Sequence, residues 1–243
     1  MIASRTAQSA GAHGDGMMST GSVRRIAAAF AGGIALVVAC VGAAFGASGQ
    51  DTLMSPEARG VSQAVTAAEL AAWGRAHQDP GALIMAARLL AEVPVRQGGD
   101  STGELLLNPD RLLDEAATLA TGNDPLIAAI DRLRNTGAGR TRGVNSSPFG
   151  RGPIFTVKEL RARETYGFDV DARAGEVLRV AAIGDGDTNI DLSVKDARGA
   201  VVCRDGYGDH YPVCTISPSR PGKMRVDIVN RGDVWTKVQI LSN

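Results

Sequence analysis

The sequence has little of several residue types, and each shortage excludes a class of protein. Three Cys in 243 residues are too few for a small protein held together by several disulfides. Lysine plus arginine equals aspartate plus glutamate at 26 each, and this balance argues against a basic nucleic-acid-binding protein. Because only one apolar run approaches the length of a membrane span, a multi-span membrane protein is excluded. Disorder is excluded as well, since 44% of the residues are hydrophobic and the net charge is zero.

The sequence also lacks the motifs of common catalytic sites. It contains no Gly-x-Ser-x-Gly, no His-Glu-x-x-His and no phosphate-binding loop. His210 directly follows Asp209, but neighbours in sequence do not form the oriented pair that a catalytic triad needs. We therefore expect a protein that is not an enzyme and has no catalytic residues. A hydrolase with an unrecognised site is the remaining alternative.

Residues 1–50 are typical of an export signal or a membrane anchor. Arg24-Arg25 precedes an apolar run over residues 26–45, and small residues follow that run. Ordinary cleavage after the run would release the protein. The sequence from Val37 to Cys40 also resembles a bacterial lipobox, in which Cys40 would be lipidated. An uncleaved run of about 20 residues would serve as an anchor.

All three possibilities place residues 51–243 outside the cytoplasm. We therefore expect a periplasmic or secreted protein that reaches the membrane only through its N-terminal segment, if it is tethered at all. Cys203 and Cys214 are the two Cys in the exported part. An even number of Cys in an oxidising compartment predicts that these two form a disulfide.

Residues 51–135 are predicted to form a helical domain of two helical hairpins. They are rich in Ala and Leu and poor in β-branched residues, which favours helix. A capping residue followed by Pro marks the start of a helix, because Pro at the first helical position loses no helical hydrogen bond. This signal occurs at Asp79-Pro80, Asn108-Pro109 and Asp124-Pro125. The predicted helices cover about 62–77, 80–93, 109–120 and 125–134.

Residues 136–152 are predicted to be a linker because they are rich in Gly and Arg. From residue 153 onward, apolar side chains alternate with polar ones, which indicates strands that bury one face. In the last predicted strand, Trp235, Lys237 and Gln239 lie on the face opposite the apolar residues. About eight short strands separated by turn residues predict an antiparallel β-sandwich over residues 153–243.

The pattern of strands and turns in residues 153–243 also resembles a known family. The matching segments are Tyr166-x-Phe168-x-Val170, Ala174-Gly175-Glu176, Asn189-Ile190-Asp191-Leu192 and the ending from Pro221 to Asn230. They are similar to the bacterial pre-peptidase C-terminal domain. The resemblance implies a jelly-roll-like β-sandwich without catalytic activity that supports secretion, folding or substrate attachment. The preceding residues do not resemble a peptidase, so the family's association with peptidases is not carried over.

One segment of the sandwich offers a candidate metal site. Oxygen-bearing side chains alternate along a loop that contains Gly, and this pattern could hold Ca²⁺: Asp185, Asp187, Asn189 and Asp191. Strand alternation instead turns Asn189 and Asp191 toward solvent, which favours a solvated turn. Calcium is the one cofactor that the sequence brings into consideration; otherwise we expect none.

The segment between Cys203 and Cys214 is the candidate binding site. It contains two of the three Tyr of the chain and gathers Asp205, Tyr207, Asp209, His210 and Tyr211. Aromatic loops on rigid scaffolds are favourable recognition surfaces, so we expect binding to an envelope or extracellular protein or glycan. Two alternatives remain open. The Tyr rings could cover the edge of the sandwich, or the whole protein could be a lipid- or helix-tethered envelope structural protein.

The three fates of the N-terminal segment have different masses. We expect the intact mass of the protein from its native host to match one of the three forms and to be lower by two hydrogens because of the Cys203–Cys214 disulfide. Labelling with palmitate, compared between wild type and Cys40→Ser, separates the lipoprotein from the other forms. Label that persists in Cys40→Ser would contradict lipidation at this residue.

Overall fold

The computed structural model describes residues 54–135 and 147–243. The predicted signal or anchor region, including Cys40, and most of the predicted linker lie outside these residues. The described residues all belong to one compact unit, which extends from Ser48 to Asn243. Over the ranges described, no helix has both the length and the apolar character needed to cross a membrane.

Four helices come first in the chain: α1 (Pro56–His77), α2 (Pro80–Ala91), α3 (Pro109–Leu119) and α4 (Asp124–Asn135). The predicted starts of α2 and α3 are confirmed. The side chain of Asp79 accepts a hydrogen bond from the backbone N–H of Ala82, and that of Asn108 accepts one from Asp110. Both caps satisfy helical N–H groups that would otherwise have no partner.

Two predicted helix starts are wrong in detail. The first helix begins at Pro56 rather than at residue 62, because Ser55 caps it through the N–H of Ala58 and Pro56 occupies the first helical position. The last helix is capped by Asn123 and not by Asp124. The Asn123 side-chain oxygen lies 3.3 Å from the backbone nitrogen of Leu126.

The strands build two sheets. The strands, in chain order, are β1 (Arg96–Gln97), β2 (Ile154–Leu160), β3 (Thr165–Ala172), β4 (Leu178–Gly184), β5 (Ile190–Lys195), β6 (Val201–Asp205), β7 (Val213–Ile216), β8 (Gly222–Asn230) and β9 (Thr236–Ser242). The five-stranded sheet has the order β1-β2-β9-β4-β7, and the four-stranded sheet has the order β3-β8-β5-β6. Every pairing is antiparallel except that of β1 with β2. The predicted order of helices before antiparallel strands is confirmed, whereas β1 was not predicted.

Apolar side chains of both sheets meet in one buried cluster. Its fully or almost fully buried members include Leu160, Val180, Ala182, Ile190, Leu192, Val194, Cys214, Val226, Ile228, Val238 and Ile240. They come from alternate positions of their strands, as the period of two requires. This cluster holds the two sheets against each other.

The opposite face of the five-stranded sheet is covered by the helices. Phe155, Val157, Ala181, Ile183 and Leu241 of this sheet belong to the same buried cluster as the inward side chains of α1, α2, α3 and α4. The helical segment that the sequence marked as a separate domain therefore shares its core with the sheet. The interior strand β4, which lies between β9 and β7, is buried on both faces, and this explains its unbroken apolar run from Val180 to Ile183.

A glycine allows the segment before β1 to approach the start of β2. Gly152 has a φ of +73°, and a Cβ placed on it would lie 1.4 Å from the carbonyl oxygen of Pro94. Immediately beyond it, the N–H of Arg96 donates to the carbonyl of Pro153, with 2.9 Å between nitrogen and oxygen. Only glycine combines this backbone conformation with so close a contact.

We expect Gly152→Ala to lower the free energy of unfolding by about 3 kcal/mol, because it adds both backbone strain and a steric clash. Urea unfolding followed by circular dichroism measures the change. Gly99→Ala is the matched control, since no atom lies within 4 Å of a Cβ placed there. Equal unfolding midpoints for the two variants would show that the contact with Pro94 does not constrain the fold.

Candidate functional site

A disulfide joins the two sheets at one edge of the structure. Cys203 lies on β6, the last strand of the four-stranded sheet, and Cys214 lies on β7, the last strand of the five-stranded sheet. The predicted pairing is confirmed, with the two Cα atoms 5.8 Å apart. The segment between the two Cys is therefore fixed at both ends to strands, one in each sheet.

Hydrogen bonds fix the backbone of this segment between its ends. The carboxylate of Asp205 accepts from the N–H of Val213 at 2.8 Å, across the base of the loop. The carbonyl of His210 accepts from Gly184 at 2.8 Å, and the carbonyl of Asp209 accepts from Ile190 at 3.1 Å. These bonds attach the loop to the end of β4 and to the start of β5.

The five residues of the predicted binding site occupy different environments. Tyr207 is 93% exposed at the tip of the loop. Tyr211 is half-buried against the cluster under the helices, and this burial raises the pKa of its phenol. Asp205, Asp209 and His210 make hydrogen bonds within the site: the carboxylate of Asp209 accepts from the N–H of Tyr211 at 2.9 Å, and the His210 ring bonds to the carbonyl of Thr188. Tyr207 is thus the aromatic ring that the loop presents to solvent, while Tyr211 helps to hold the loop on the helices.

Two other loops adjoin the Tyr207 loop. Thr188 bonds to His210 through its carbonyl, and its Cγ2 atom lies 2.5 Å from the position of a Cβ on Gly232. The N–H of Arg231 donates to the carbonyl of Asn189 at 2.9 Å. Residues 185–189, 206–211 and 231–235 therefore form one continuous region, which we call the loop surface.

The third loop adds a second exposed aromatic ring to the loop surface. Trp235 is 58% exposed and Val234 beside it is 53% exposed. The strand pattern predicted that Trp235 points away from the sheet interior, but it did not predict that its loop joins that of Tyr207. No local sequence signal connects them, because 19 residues lie between the two loops in the chain.

The four predicted calcium ligands have different surroundings. One carboxylate oxygen of Asp185 accepts from the Thr236 hydroxyl at 2.6 Å, and the other accepts from the N–H of Lys237 at 2.8 Å. Asp191 pairs with Arg231 at 2.6 Å. Asp187 is exposed, and Asn189 is partly buried. Within the described part of the chain, no three His, Cys, Asp or Glu side chains are grouped as metal ligands, and calcium binding stays a prediction.

Comparison with known proteins gives weak structural similarities. No protein-family model matches the sequence, and no curated protein matches it. The pre-peptidase C-terminal domain of a collagenase from Bacillus anthracis is similar at a TM-score of 0.31 and 5% identity, over 36% of this chain and 88% of that chain. PliG from Aeromonas hydrophila, a periplasmic inhibitor of g-type lysozyme, gives a TM-score of 0.27 and 14% identity over 37% of this chain and 86% of that chain.

A de novo designed double-stranded β-helix gives a TM-score of 0.23 and 19% identity, over 37% of this chain and 97% of that chain. Each of the three similarities covers little more than a third of this chain. At these TM-scores none of them assigns a function. The predicted membership of the pre-peptidase C-terminal family stays a prediction.

Removal of the disulfide is expected to destabilise the protein and to loosen the loop. The disulfide stabilises the folded state because it restricts the unfolded chain. For a loop of this length, we expect the Cys203→Ala/Cys214→Ala double variant to have a free energy of unfolding lower by about 3 kcal/mol. Urea unfolding with and without dithiothreitol measures this loss. Dithiothreitol should lower the midpoint of wild type and leave that of the double variant unchanged. An equal midpoint for both proteins under oxidising conditions would contradict the expectation.

Proposed function

We propose that this protein is an exported, non-catalytic binding protein whose two sheets form a β-sandwich. The sandwich presents the loop surface to an envelope or extracellular protein or glycan. The observation that carries this proposal is the exposure of the Tyr207 side chain, 93%, on a loop whose ends are joined by the Cys203–Cys214 disulfide.

The physical reason lies in the cost of ordering a binding site. An aromatic ring contributes a large contact area, and binding is weakened when the loop that carries it must first be ordered. The backbone around Tyr207 is already ordered by the disulfide and by the bonds of Asp209 and His210 to neighbouring strands. Little conformational freedom of the loop backbone would therefore be lost on binding.

The composition of the loop surface suits a ligand with both apolar faces and hydrogen-bond donors. The rings of Tyr207 and Trp235 offer flat apolar contact areas. The side chains of Asp187 and Asp209 lie on the same loops, and both residues are exposed. Carboxylates accept hydrogen bonds from sugar hydroxyls and from amide N–H groups, so this composition fits a glycan or a protein.

The basic and apolar segment and the lipobox-like sequence within residues 1–50 support a second candidate, a tethered envelope protein. Ser55 lies beside Asn243, with 3.3 Å between the Ser55 hydroxyl oxygen and the Asn243 side-chain nitrogen. Asn243 follows the end of β9, whereas Trp235 precedes its start, and a strand of seven residues spans about 20 Å. Within the described part of the chain, the loop surface therefore lies about a strand length away from Ser55.

We expect Tyr207→Ala and Trp235→Ala each to weaken binding at least about tenfold, because central aromatic contacts dominate interface energies. The probes are insoluble peptidoglycan, a soluble envelope polysaccharide, and purified envelope proteins, each tested by co-sedimentation or calorimetry. Met85→Ala is the matched control, because Met85 is 46% exposed on α2 and does not belong to the loop surface. Wild type that binds none of the probes, or a Tyr207→Ala variant that binds as well as wild type, would refute the proposal.

A further inference from the structure

Strand β3 is the longest edge strand of the two described sheets. It has eight residues, whereas the other edge strands β1, β7 and β6 have two, four and five. The edges at β6 and β7 are joined by the disulfide. An edge strand presents a row of unpaired N–H and C=O groups, to which another strand can add.

The register with β8 shows which backbone groups of β3 point to the free edge. The N–H of Asn230 in β8 donates to the carbonyl of Glu164 at 2.9 Å. Since the next pair along the ladder is Thr165 with Val229, this bond belongs to a hydrogen-bonded pair of residues. Such pairs recur at every second residue of an antiparallel ladder. The residues whose N–H and C=O groups point away from β8 are therefore Thr165, Gly167, Asp169 and Asp171.

A groove of about 600 Å³ lies beside this edge, between the two sheets. Its apolar lining includes Ile154 of β2, Leu178 of β4, and Phe168 and Val170 of β3. The last two side chains belong to the inner face of β3 but are only partly buried, because no described strand lies beyond them. A strand added to β3 would cover them with every second side chain.

A contact between the two sheets limits the groove at the start of β3. The Tyr166 hydroxyl donates to the carboxylate of Asp100 at 2.8 Å, and Nζ of Lys158 lies 5.0 Å from the centre of the Tyr166 ring. None of these three residues lines the groove, whereas every residue from Phe168 to Ala172 does. The accessible part of the edge is therefore the second half of β3.

The outer face of this half carries two acidic side chains. Asp169 is 3.5 Å from Arg225 of β8, and Asp171 is 3.9 Å from Lys223 of the same strand. The sign of the charge therefore alternates from β8 to β3. A strand added beyond β3 would continue this alternation if its outer side chains were Lys or Arg, because opposite charges on neighbouring strands stabilise a sheet.

The same two carboxylates oppose pairing between two copies of this chain. The outer positions of β3 hold no basic residue, so two β3 strands side by side would place carboxylates on both strands. The remaining charged residues of the groove wall nearly balance, and none of them lies on β3: Arg96, Arg151, Arg173, Glu57 and Glu176. Asp169 and Asp171 are therefore the charges that a strand at this edge would have as ladder neighbours.

We propose that the free edge of β3 binds an extended segment of another protein in which basic and apolar residues alternate. The segment adds a fifth strand to the four-stranded sheet, with its basic side chains beside Asp169 and Asp171. Its apolar side chains fill the groove over Phe168 and Val170. Main-chain hydrogen bonds supply affinity in this mode of recognition, and the alternating side chains supply specificity. No residue of the groove wall belongs to the loop surface, so this is a second binding site.

The probes are two fluorescein-labelled peptide amides, KVKVKVK and EVEVEVE, which share the apolar residues and differ in the sign of the charge. We expect the basic peptide to bind wild type at least about tenfold more tightly than the acidic one, measured by fluorescence anisotropy. N-methylation of the two central Lys removes N–H donors from the basic peptide and should abolish its binding. Equal affinities for the basic and acidic peptides, or no binding of the basic peptide, would overturn the proposal.

Hydrogen exchange followed by NMR locates the bound peptide without any substitution. In the free protein, the amides of Gly167, Asp169 and Asp171 should exchange quickly, whereas those of Phe168 and Val170 are bonded to β8 and should exchange slowly. The basic peptide should slow the exchange of the first three. Slow exchange of these three before any peptide is added would show that another part of the chain, or a second copy, covers the edge, and would refute the proposal.

Four variants separate the edge from other causes of binding. Asp169→Pro removes an N–H that points outward, which an edge strand tolerates, and should abolish binding. Asp171→Lys should reduce the preference for the basic peptide. Glu104→Lys makes the same change of charge at a largely exposed residue outside the groove and should leave the preference unchanged.

The fourth variant, Tyr207→Ala, alters the loop surface and should bind the basic peptide as wild type does, so that this proposal and the proposed function can fail independently. If Asp169→Pro does not fold, hydrogen exchange in wild type still decides the question. Binding of the basic peptide that Asp171→Lys and Glu104→Lys weaken equally would contradict the proposal, because net charge alone would then explain it.

Discussion

Burial of the five-stranded sheet on both faces is the main constraint on the described fold. Its strands β4 and β9 send alternate side chains into two separate apolar clusters, one shared with the four-stranded sheet and one shared with the helices. Burial of apolar area is the main source of stability in a chain of this size. Among the described residues, the helices and the four-stranded sheet each bury their apolar side chains against this layer, which therefore determines where both of them lie.

The loop surface lies where strands of this layer end. The disulfide closes the edge where the two sheets finish in β6 and β7, and it brings the Tyr207 loop against the ends of β4 and β5. Thr188 then connects this loop to the one that carries Trp235. These loops, whose backbones are bonded to each other, carry the two exposed aromatic rings of Tyr207 and Trp235.

Features that depend on neighbouring residues could be predicted from the sequence, and features that depend on distant ones could not. The starts of α2 and α3 were predicted correctly because a cap and its helical N–H groups are separated by only two or three residues. The disulfide was predicted because residues 51–243, which the sequence predicts to be exported, contain only two Cys. The burial of Gln239 was not predicted, because a period of two separates the two faces of a strand but does not show what covers each face. For the same reason, the sequence did not predict that the five residues of the binding site occupy different environments. Tyr211 faces the helices, and no local pattern indicates where the helices lie.

The sequence by itself determined the order of helices and strands, three of the helix starts to within a residue, and the pairing of Cys203 with Cys214. These are local properties, set by backbone sterics, capping and the number of available thiols. Packing of the whole chain, in contrast, determined that the helices cover one face of a sheet and that three distant loops meet. It also determined that Gln239 is buried, on a face where the strand pattern predicted exposure. The reason is that apolar burial has no direction, and its partners are selected by the packing of the whole chain.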